Sequence, residues 1–366
     1  MADYARSVGN ASKRAAILEE LVRVEAAAGA QRDDRSRSLA AQASLELATP
    51  LRDAFFGLRL TSPLKKSLEA KRAALQKALH EYEKADAYAV EDVSTSATYE
   101  MAELYRRLAQ DLLKAERPKN LSPDALEQFG LLLEEQAFPF EEKAIALHEI
   151  NAARVISVGL YNDSVRRSMD ALSEMKPARY GKLEAPEELS IDMIAGPSGS
   201  PSLDVNVRFQ EAVALAPTNS VRAEAELKTI IEQAPDATGP YLNEAILAAN
   251  AGRYSDAQAL LQRALAHTPD HVSVLDEQGI VLRHLGQFTA AATAYEAALK
   301  ADPESVKARR NFGVLLDLYL GRSDEAVRLW KQAIEIEGTD KTLEGWIAEV
   351  AHRVPSPRSS GKGEPN

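Results

Sequence analysis

The sequence predicts an all-α chain built as a solenoid of helical hairpins, and three observations point there. First, "GRYSDAQALLQRALAHTPD" (252–270) returns 34 residues later as "GQFTAAATAYEAALKADPE" (286–304). Gly252, Tyr254, Ala257, Leu261, Ala264 and Pro269 are answered by Gly286, Phe288, Ala291, Tyr295, Ala298 and Pro303. Second, Ala, Leu and Glu dominate, and these residues lose little side-chain freedom in a helix. With 45% hydrophobic and 27% charged residues, the composition is that of a folding chain. Third, apolar residues recur at i, i+3, i+4, i+7, as in Ile17, Leu18, Leu21 and Val24.

Taken in order, residues 1–60 read as N-terminal helices and 61–180 as helical hairpins. Thr61 or Ser62 is expected to cap a helix with Pro63 at its first position, and Ser122-Pro123 repeats that start. Another helix is expected to begin at the Ser/Thr cluster 94–98 and stop before Pro118. "LSPDALEQFGLLLEEQ" forms a helix of its own, and the stretch from Pro139 to Pro177 gives two more. Residues 181–202, "GKLEAPEELSIDMIAGPSGSPS", lack a sustained period and read as a linker. Residues 203–353 form the repeat array with a C-terminal capping helix, and 354–366 a disordered tail.

Within the array, each conserved residue type has a physical job. Gly252 and Gly286 end the first helix of a pair, where positive φ is often required. The alanines mark close helix approach, the aromatics and Leu261 fill the space between pairs, and Pro269 and Pro303 stop the second helix. A third copy, 306 to about 339, keeps Gly313, Gly321, Ala326, Trp330 and Ala333; its glycine comes one residue late, read as a longer first helix. An upstream copy is degenerate, keeping Ala223, Leu227 and Pro235, and "DKTLEGWIAEVAHRV" supplies the cap. These segments resemble tetratricopeptide repeats (TPR), clearest over 238–305. The same spacing recurs faintly at Gly159, Tyr161, Ser164 and Ala171, and at Ala78, Tyr82 and Ala85.

Residues 64–180 also resemble the N-terminal part of periplasmic TPR proteins of Gram-negative bacteria, found with TonB–ExbB–ExbD-like energised envelope complexes and gliding-motility machinery. The stretches carrying this are "YEKADAYAVEDVSTSATYEMAELYRRLAQDLLKAERP" and "LLLEEQAFPFEEKAIALHEINAARV". The resemblance implies a periplasmic location, hence a trimmed signal or lipoprotein leader, since "MADYARSVGN" has no apolar signal core. The alternative is a cytosolic chaperone-type adaptor.

A formal net charge of -11 without a basic run argues against nucleic acid as partner. No run is long enough to span a bilayer. The absence of cysteine excludes disulfides and a thiol nucleophile. His267 and His271 have metal-pair spacing but flank Pro269 in a turn, so no metal is expected. "GPSGS" (196–200) lacks nucleophile-elbow spacing. The pairs Glu134-Glu135 and Glu141-Glu142 read as solvated faces, and Trp330 and Trp346 as packing residues. No catalytic residue and no cofactor are expected; an enzyme with a site in the N-terminal half is the least favoured reading.

In TPR arrays the first helix of each pair lines a concave wall, through positions 2, 5, 6, 9, 12 and 13. Here these are Leu242, Asn243, Ile246 and Asn250; Asp276, Glu277, Ile280, Arg283 and His284; and Lys307, Arg310, Asn311 and Val314. The resemblance implies a non-enzymatic scaffold that grips an extended peptide or a helix of a protein partner. The Lys, Asn, Asn, Lys and Arg set that clamps C-terminal carboxylates is incomplete, with only Asn243, Lys307 and Asn311 fitting singly.

Overall fold

Glycines with positive φ and small residues at close approaches set the boundaries of the helices in the computed structural model, which describes residues 11–118, 122–195, 199 and 201–353. Among them are sixteen α-helices and no β-strand. The chain divides into two units, 1–175 and 176–366. Among the described residues no helix is long and apolar enough to cross a membrane.

The first unit holds α1 (Ala11–Ala27), α2 (Asp34–Gly57), α3 (Leu64–Asp86), α4 (Glu91–Leu113), α5 (Pro123–Val158) and α6 (Asp163–Met175). Sequential helices pack on one another around Phe55, Leu75, Tyr82, Leu104, Leu108 and Leu112. Ala78, Tyr82 and Ala85 are all buried there, and Gly159 ends α5 in the left-handed conformation at φ 68. At 23, 23 and 36 residues, α3, α4 and α5 are far longer than the helices of the array.

Several expectations change in this unit. Val24 is exposed; Glu25 is buried in its place, paired to Arg32 at 2.6 and 2.7 Å. Pro63 is itself the N-cap of α3, and the Ser67 hydroxyl ties back to Thr61 N and O. α4 starts at Glu91, ahead of the Ser/Thr cluster, while Ser122 does cap α5, accepting from Ala125 N, with Pro123 following. The two helices expected on either side of Pro139 are one. Pro139 and the Glu135 carbonyl it deprives of a donor lie on an exposed stretch, where water compensates, while Leu133, Ala137, Ala144 and His148 continue the buried face.

The second unit opens with one turn, α7 (Pro177–Tyr180), and an extended stretch. Helix pairs follow: α8 (Leu203–Leu215) and α9 (Ser220–Gln233), α10 (Thr238–Asn250) and α11 (Tyr254–His267), α12 (Val272–His284) and α13 (Phe288–Ala301), α14 (Val306–Leu318) and α15 (Ser323–Glu337). α16 (Lys341–Arg353) caps the stack, with Trp346 against Trp330 at 5.3 Å between ring centroids. Gly252, Gly286 and Gly321 adopt φ 75, 73 and 66, the left-handed turn that a side chain would strain. α14 has 13 residues, as α12 does, so the extra residue of the third copy lies in the turn: Tyr319 and Leu320 both donate to Leu315 O.

One repeat position shows how side-chain sizes trade. It is Ala245 in the first copy, Gly279 in the second and Gly313 in the third, against Leu261, Tyr295 and Trp330, which are fully buried. A Cβ on Gly279 would sit 2.5 Å from the Tyr295 ring, and one on Gly313 would sit 2.2 Å from Trp330 Nε1. The larger partner demands the smaller residue. Gly313→Ala should therefore destabilise the chain by ~1–3 kcal/mol in urea unfolding, a cost of overpacking. Adding Trp330→Leu, which recreates the Ala245–Leu261 pairing, should return part of that loss. Gly345→Ala, inside α16 with nothing within 4 Å of the added methyl, is the control and should stabilise by up to ~1 kcal/mol through helix propensity alone.

Candidate peptide-binding groove

The concave wall of the array carries polar side chains at one recurring place, the sixth residue of each copy: Asn243, Glu277 and Asn311. All three are buried, at 1%, 1% and 0% exposure. A buried amide or carboxylate needs hydrogen-bond partners, and here an extended chain provides them. That chain is the protein's own residues 181–195, the stretch whose composition reads as a linker; "strap" denotes it below.

Asn311 accepts from Ala185 N at 2.7 Å and donates to Ala185 O at 2.9 Å. Asn243 does the same to Ser190, at 2.9 and 2.7 Å. Between them, Glu277 accepts from Glu187 N at 3.0 Å. The strap runs opposite to the repeat order. The sixth position of the degenerate copy is Phe209, which shares an apolar cluster with Met193 of the strap. Beyond it, Thr238 N and Gly239 N at the start of α10 donate to Ile194 O and Met193 O, both at 3.0 Å. A Cβ on Gly239 would meet Asp192 O at 2.1 Å, so that approach needs glycine.

Side chains lock the strap at the twelfth position. Arg283 pairs with Glu184, whose other oxygen accepts from Tyr295 Oη at 2.8 Å. Asp317 takes Lys182 at 2.7 Å, and Lys182 also reaches Glu349 at 2.7 Å. Lys182 and Asp317 are fully buried side chains; Arg353, 2.8 Å from Asp317, completes their neutralisation. Lys307 lies 3.1 Å from Glu187.

Of the residues expected on the wall, Asn243, Glu277, Arg283, Lys307 and Asn311 meet the strap directly, and Asp276 sits beneath it, its Oδ2 accepting from Asn311 Nδ2 at 2.8 Å. Leu242, Ile246, Ile280 and Val314 are 2–5% exposed and belong to the interior of the array, because the wall is one helix thick and its apolar positions are shared with the core. His284 stacks on Tyr254 at 4.1 Å, Arg310 faces Asp340 and the Trp346 ring, and Asn250 is exposed at the helix end. Sequence reasoning missed the strap itself, Tyr295, Glu349 and Asp317. Asp317 holds the twelfth position of the third copy, hidden by placing the extra residue inside the helix.

The electrostatics of the wall are uneven. Burial holds the Asp276 carboxyl well above its ordinary range, and the Glu187 and Glu184 charges push the same way. Glu277 is pushed up to about 7, chiefly by burial and then by Glu187 and Glu184, against the Glu187 N–H and Lys307. Burial would also raise Asp317, but Lys182, Ser323 and Arg353 outweigh it and hold that carboxyl below its ordinary value.

Residues 242–306 match the tetratricopeptide repeat family model. No curated protein matches the chain. Among solved structures it is similar to "MamA RS-1 ArsTM double mutant", at 18% identity over 42% of this chain and 86% of that one, TM-score 0.39. It is also similar to "MamA 41-end from Desulfovibrio magneticus RS-1", at 16% identity over 42% and 93%, TM-score 0.37. A further MamA crystal structure matches at 19% identity over 48% and 88%, TM-score 0.34. The copies spanned by 242–306 are tetratricopeptide repeats.

The raised Glu277 has a definite sign. Its proton affinity in the folded chain exceeds that in the unfolded one, so its contribution to stability is complete below about pH 4.5 and is lost as pH rises through about 7. Asp276 acts in the same direction. His271, held below its ordinary value by burial, acts oppositely as pH falls, so the contribution must be isolated by substitution. Going from pH 5.5 to 7.5, the wild-type chain should lose roughly 1–3 kcal/mol more than Glu277→Gln, at about 1.4 kcal/mol per pKa unit. Chemical denaturation of both at the two pH values checks this.

Proposed function

We propose that this chain is a non-enzymatic scaffold whose groove, 238–338, captures an extended segment of a protein partner. One observation carries the reading: Asn243 and Asn311 each grasp both the N–H and the C=O of one residue of an extended chain. Backbone-directed contacts of this kind give affinity for extended peptide, and flanking side-chain pairs give selectivity. Asn151, buried in the first unit, is spent on structure: it donates to Thr95 O and Ser168 Oγ, tying α4, α5 and α6 together.

The bacterial envelope setting is part of the proposal, supported by the resemblance of residues 64–180 to periplasmic TPR proteins of energised complexes. Fractionation of the native host with an antibody to the chain checks it: recovery in the cytoplasm would favour the adaptor reading.

The groove itself is tested by a peptide of residues 181–195 supplied to a strap-weakened chain, Ala185→Pro with Ser190→Pro, which removes the two N–H groups that the asparagines accept from. Saturable binding is expected by fluorescence anisotropy, weakened at least ~10-fold by Asn243→Ala with Asn311→Ala, each bidentate contact being worth on the order of 1 kcal/mol or more. If a helical melt shows the array folded and the peptide does not bind, the groove is not a peptide site.

A further inference from the structure

The wall reads a bound chain in two ways. At the sixth position of each copy, Asn243, Glu277 and Asn311 bind backbone, which every residue but proline presents alike. Those contacts therefore set neither sequence nor register. At the twelfth position the copies differ, with Ala249, Arg283 and Asp317 in turn. Arg283 and Asp317 carry opposite charges one repeat apart, and both read side chains. Asp317 and Glu349 hold one ammonium: Lys182 Nζ spends its three N–H groups on these two carboxylates, both at 2.7 Å, and on the Arg179 carbonyl at 3.1 Å. Two residues on, Glu184 accepts from Arg283 Nε at 2.8 Å through one oxygen and from the fully buried Tyr295 hydroxyl at 2.8 Å through the other. Alternate residues of an extended chain face the same side, and Leu183 between them points outward at 70% exposure.

These demands belong to the wall, whichever chain lies on it. Without an ammonium at the first place, Asp317 and Glu349 share Arg353 in a buried setting. Without an acid at the second, the Tyr295 hydroxyl loses its acceptor, and a base there would meet Arg283. Burying such groups without their partners is costly. Lys307 is open to water at 36% exposure, so its pair with Glu187 makes no such demand. Resting on the reading of the groove as a peptide site, we infer that the partner segment carries a lysine and, two residues nearer its C-terminus, an acidic residue, and that this pair sets the register and direction of the bound chain on the third and second copies. The strap carries the pair itself, so a partner must match it to displace the strap.

The strap-weakened chain and variants of the peptide 181–195 decide this; residual competition from the strap scales every affinity alike, so ratios are read. Exchanging the two charges, Lys182→Glu with Glu184→Lys, keeps composition and net charge and should weaken binding at least ~100-fold, because each charge then meets its own sign. Lys182→Met and Glu184→Gln should each cost at least ~10-fold, whereas Leu183→Ser should change affinity by less than ~3-fold. Introducing Arg283→Gln into the groove should shrink the Glu184→Gln penalty below ~3-fold and leave that of Lys182→Met intact. If the double-proline chain loses its helical signal, the single variant Ser190→Pro replaces it. If the parent peptide binds and the charge-exchanged one binds within ~3-fold of it, the side-chain reading is wrong while the peptide site stands. If the parent peptide does not bind the folded chain, the site and this reading fall together. A second measurement leaves the strap sequence out of the probe. Selection of a displayed random peptide library on the strap-weakened chain should enrich Lys followed two residues later by Glu or Asp; enrichment of another pattern, or of none, overturns the proposal.

Discussion

The second unit depends on one constraint: the inner wall of its helical stack is lined with buried polar groups that the array satisfies only in part. Asn243, Glu277, Asn311 and Asp317 are 0–3% exposed, and each meets the strap; Asn311 and Asp317 also find partners in the array, in Asp276 and in Ser323 and Arg353. Helical backbone has no spare donors or acceptors to offer them, because its amides are already paired along the helix. An extended chain has all of them free. The strap therefore belongs to the fold as much as any helix does, and the wall's polarity shows that extended chain is what it is built to hold.

Pitch makes the match possible. Neighbouring helices of a packed stack are about 8–10 Å apart, and an extended chain advances about 3.3 Å per residue, so one repeat corresponds to about two to three residues. The strap residues that meet Asn311, Glu277 and Asn243 are Ala185, Glu187 and Ser190, and Met193 reaches Phe209 one repeat further. Steps of two, three and three residues follow the stack without bulge or slack. A helix, rising 1.5 Å per residue with its amides internally paired, could meet the same wall only through side chains. Between the two partner forms the resemblance allows, the geometry favours the extended one.

What was legible in the sequence, and what was not, divides by range. Gly252 and Gly286, Ala257 and Ala291, and Trp330 with Trp346 were readable because their causes are local: a left-handed turn, a close crossing, a capping helix one hairpin away. The sixth-position residues were readable as a wall through the repeat. The strap was not, because "KLEAPEELSIDM" has no period of its own and the contacts that seat it on the wall are distant, among them Asn243, 53 residues beyond Ser190, and Glu349, 167 beyond Lys182. Proline and glycine there suggest a linker, and they do keep it from becoming helix; whether a non-helical stretch is loose or bound depends on what it meets. Pro139 misled in the opposite sense, because a helix tolerates proline where the lost bond faces water and the buried stripe continues beneath it.

The same division explains why the wall's charges could not be judged from its residues alone. Asp276 and Glu277 on an acidic chain look like two more solvated carboxylates. Burial is what raises both carboxyls above their ordinary range, and Glu184 and Glu187 of the strap push the same way. Of the two ends of the strap, one holds its lysine between Asp317 and Glu349, where opposite charges make a closed set with Arg353. The other ends on apolar Met193. Between them the strap is held by its backbone, at Ala185, Glu187 and Ser190, with Glu184 and Glu187 paired to Arg283 and Lys307. Backbone contacts accept many side chains at the strap's centre, while the buried Lys182 set at one end and Met193 towards the other fix its register on the stack.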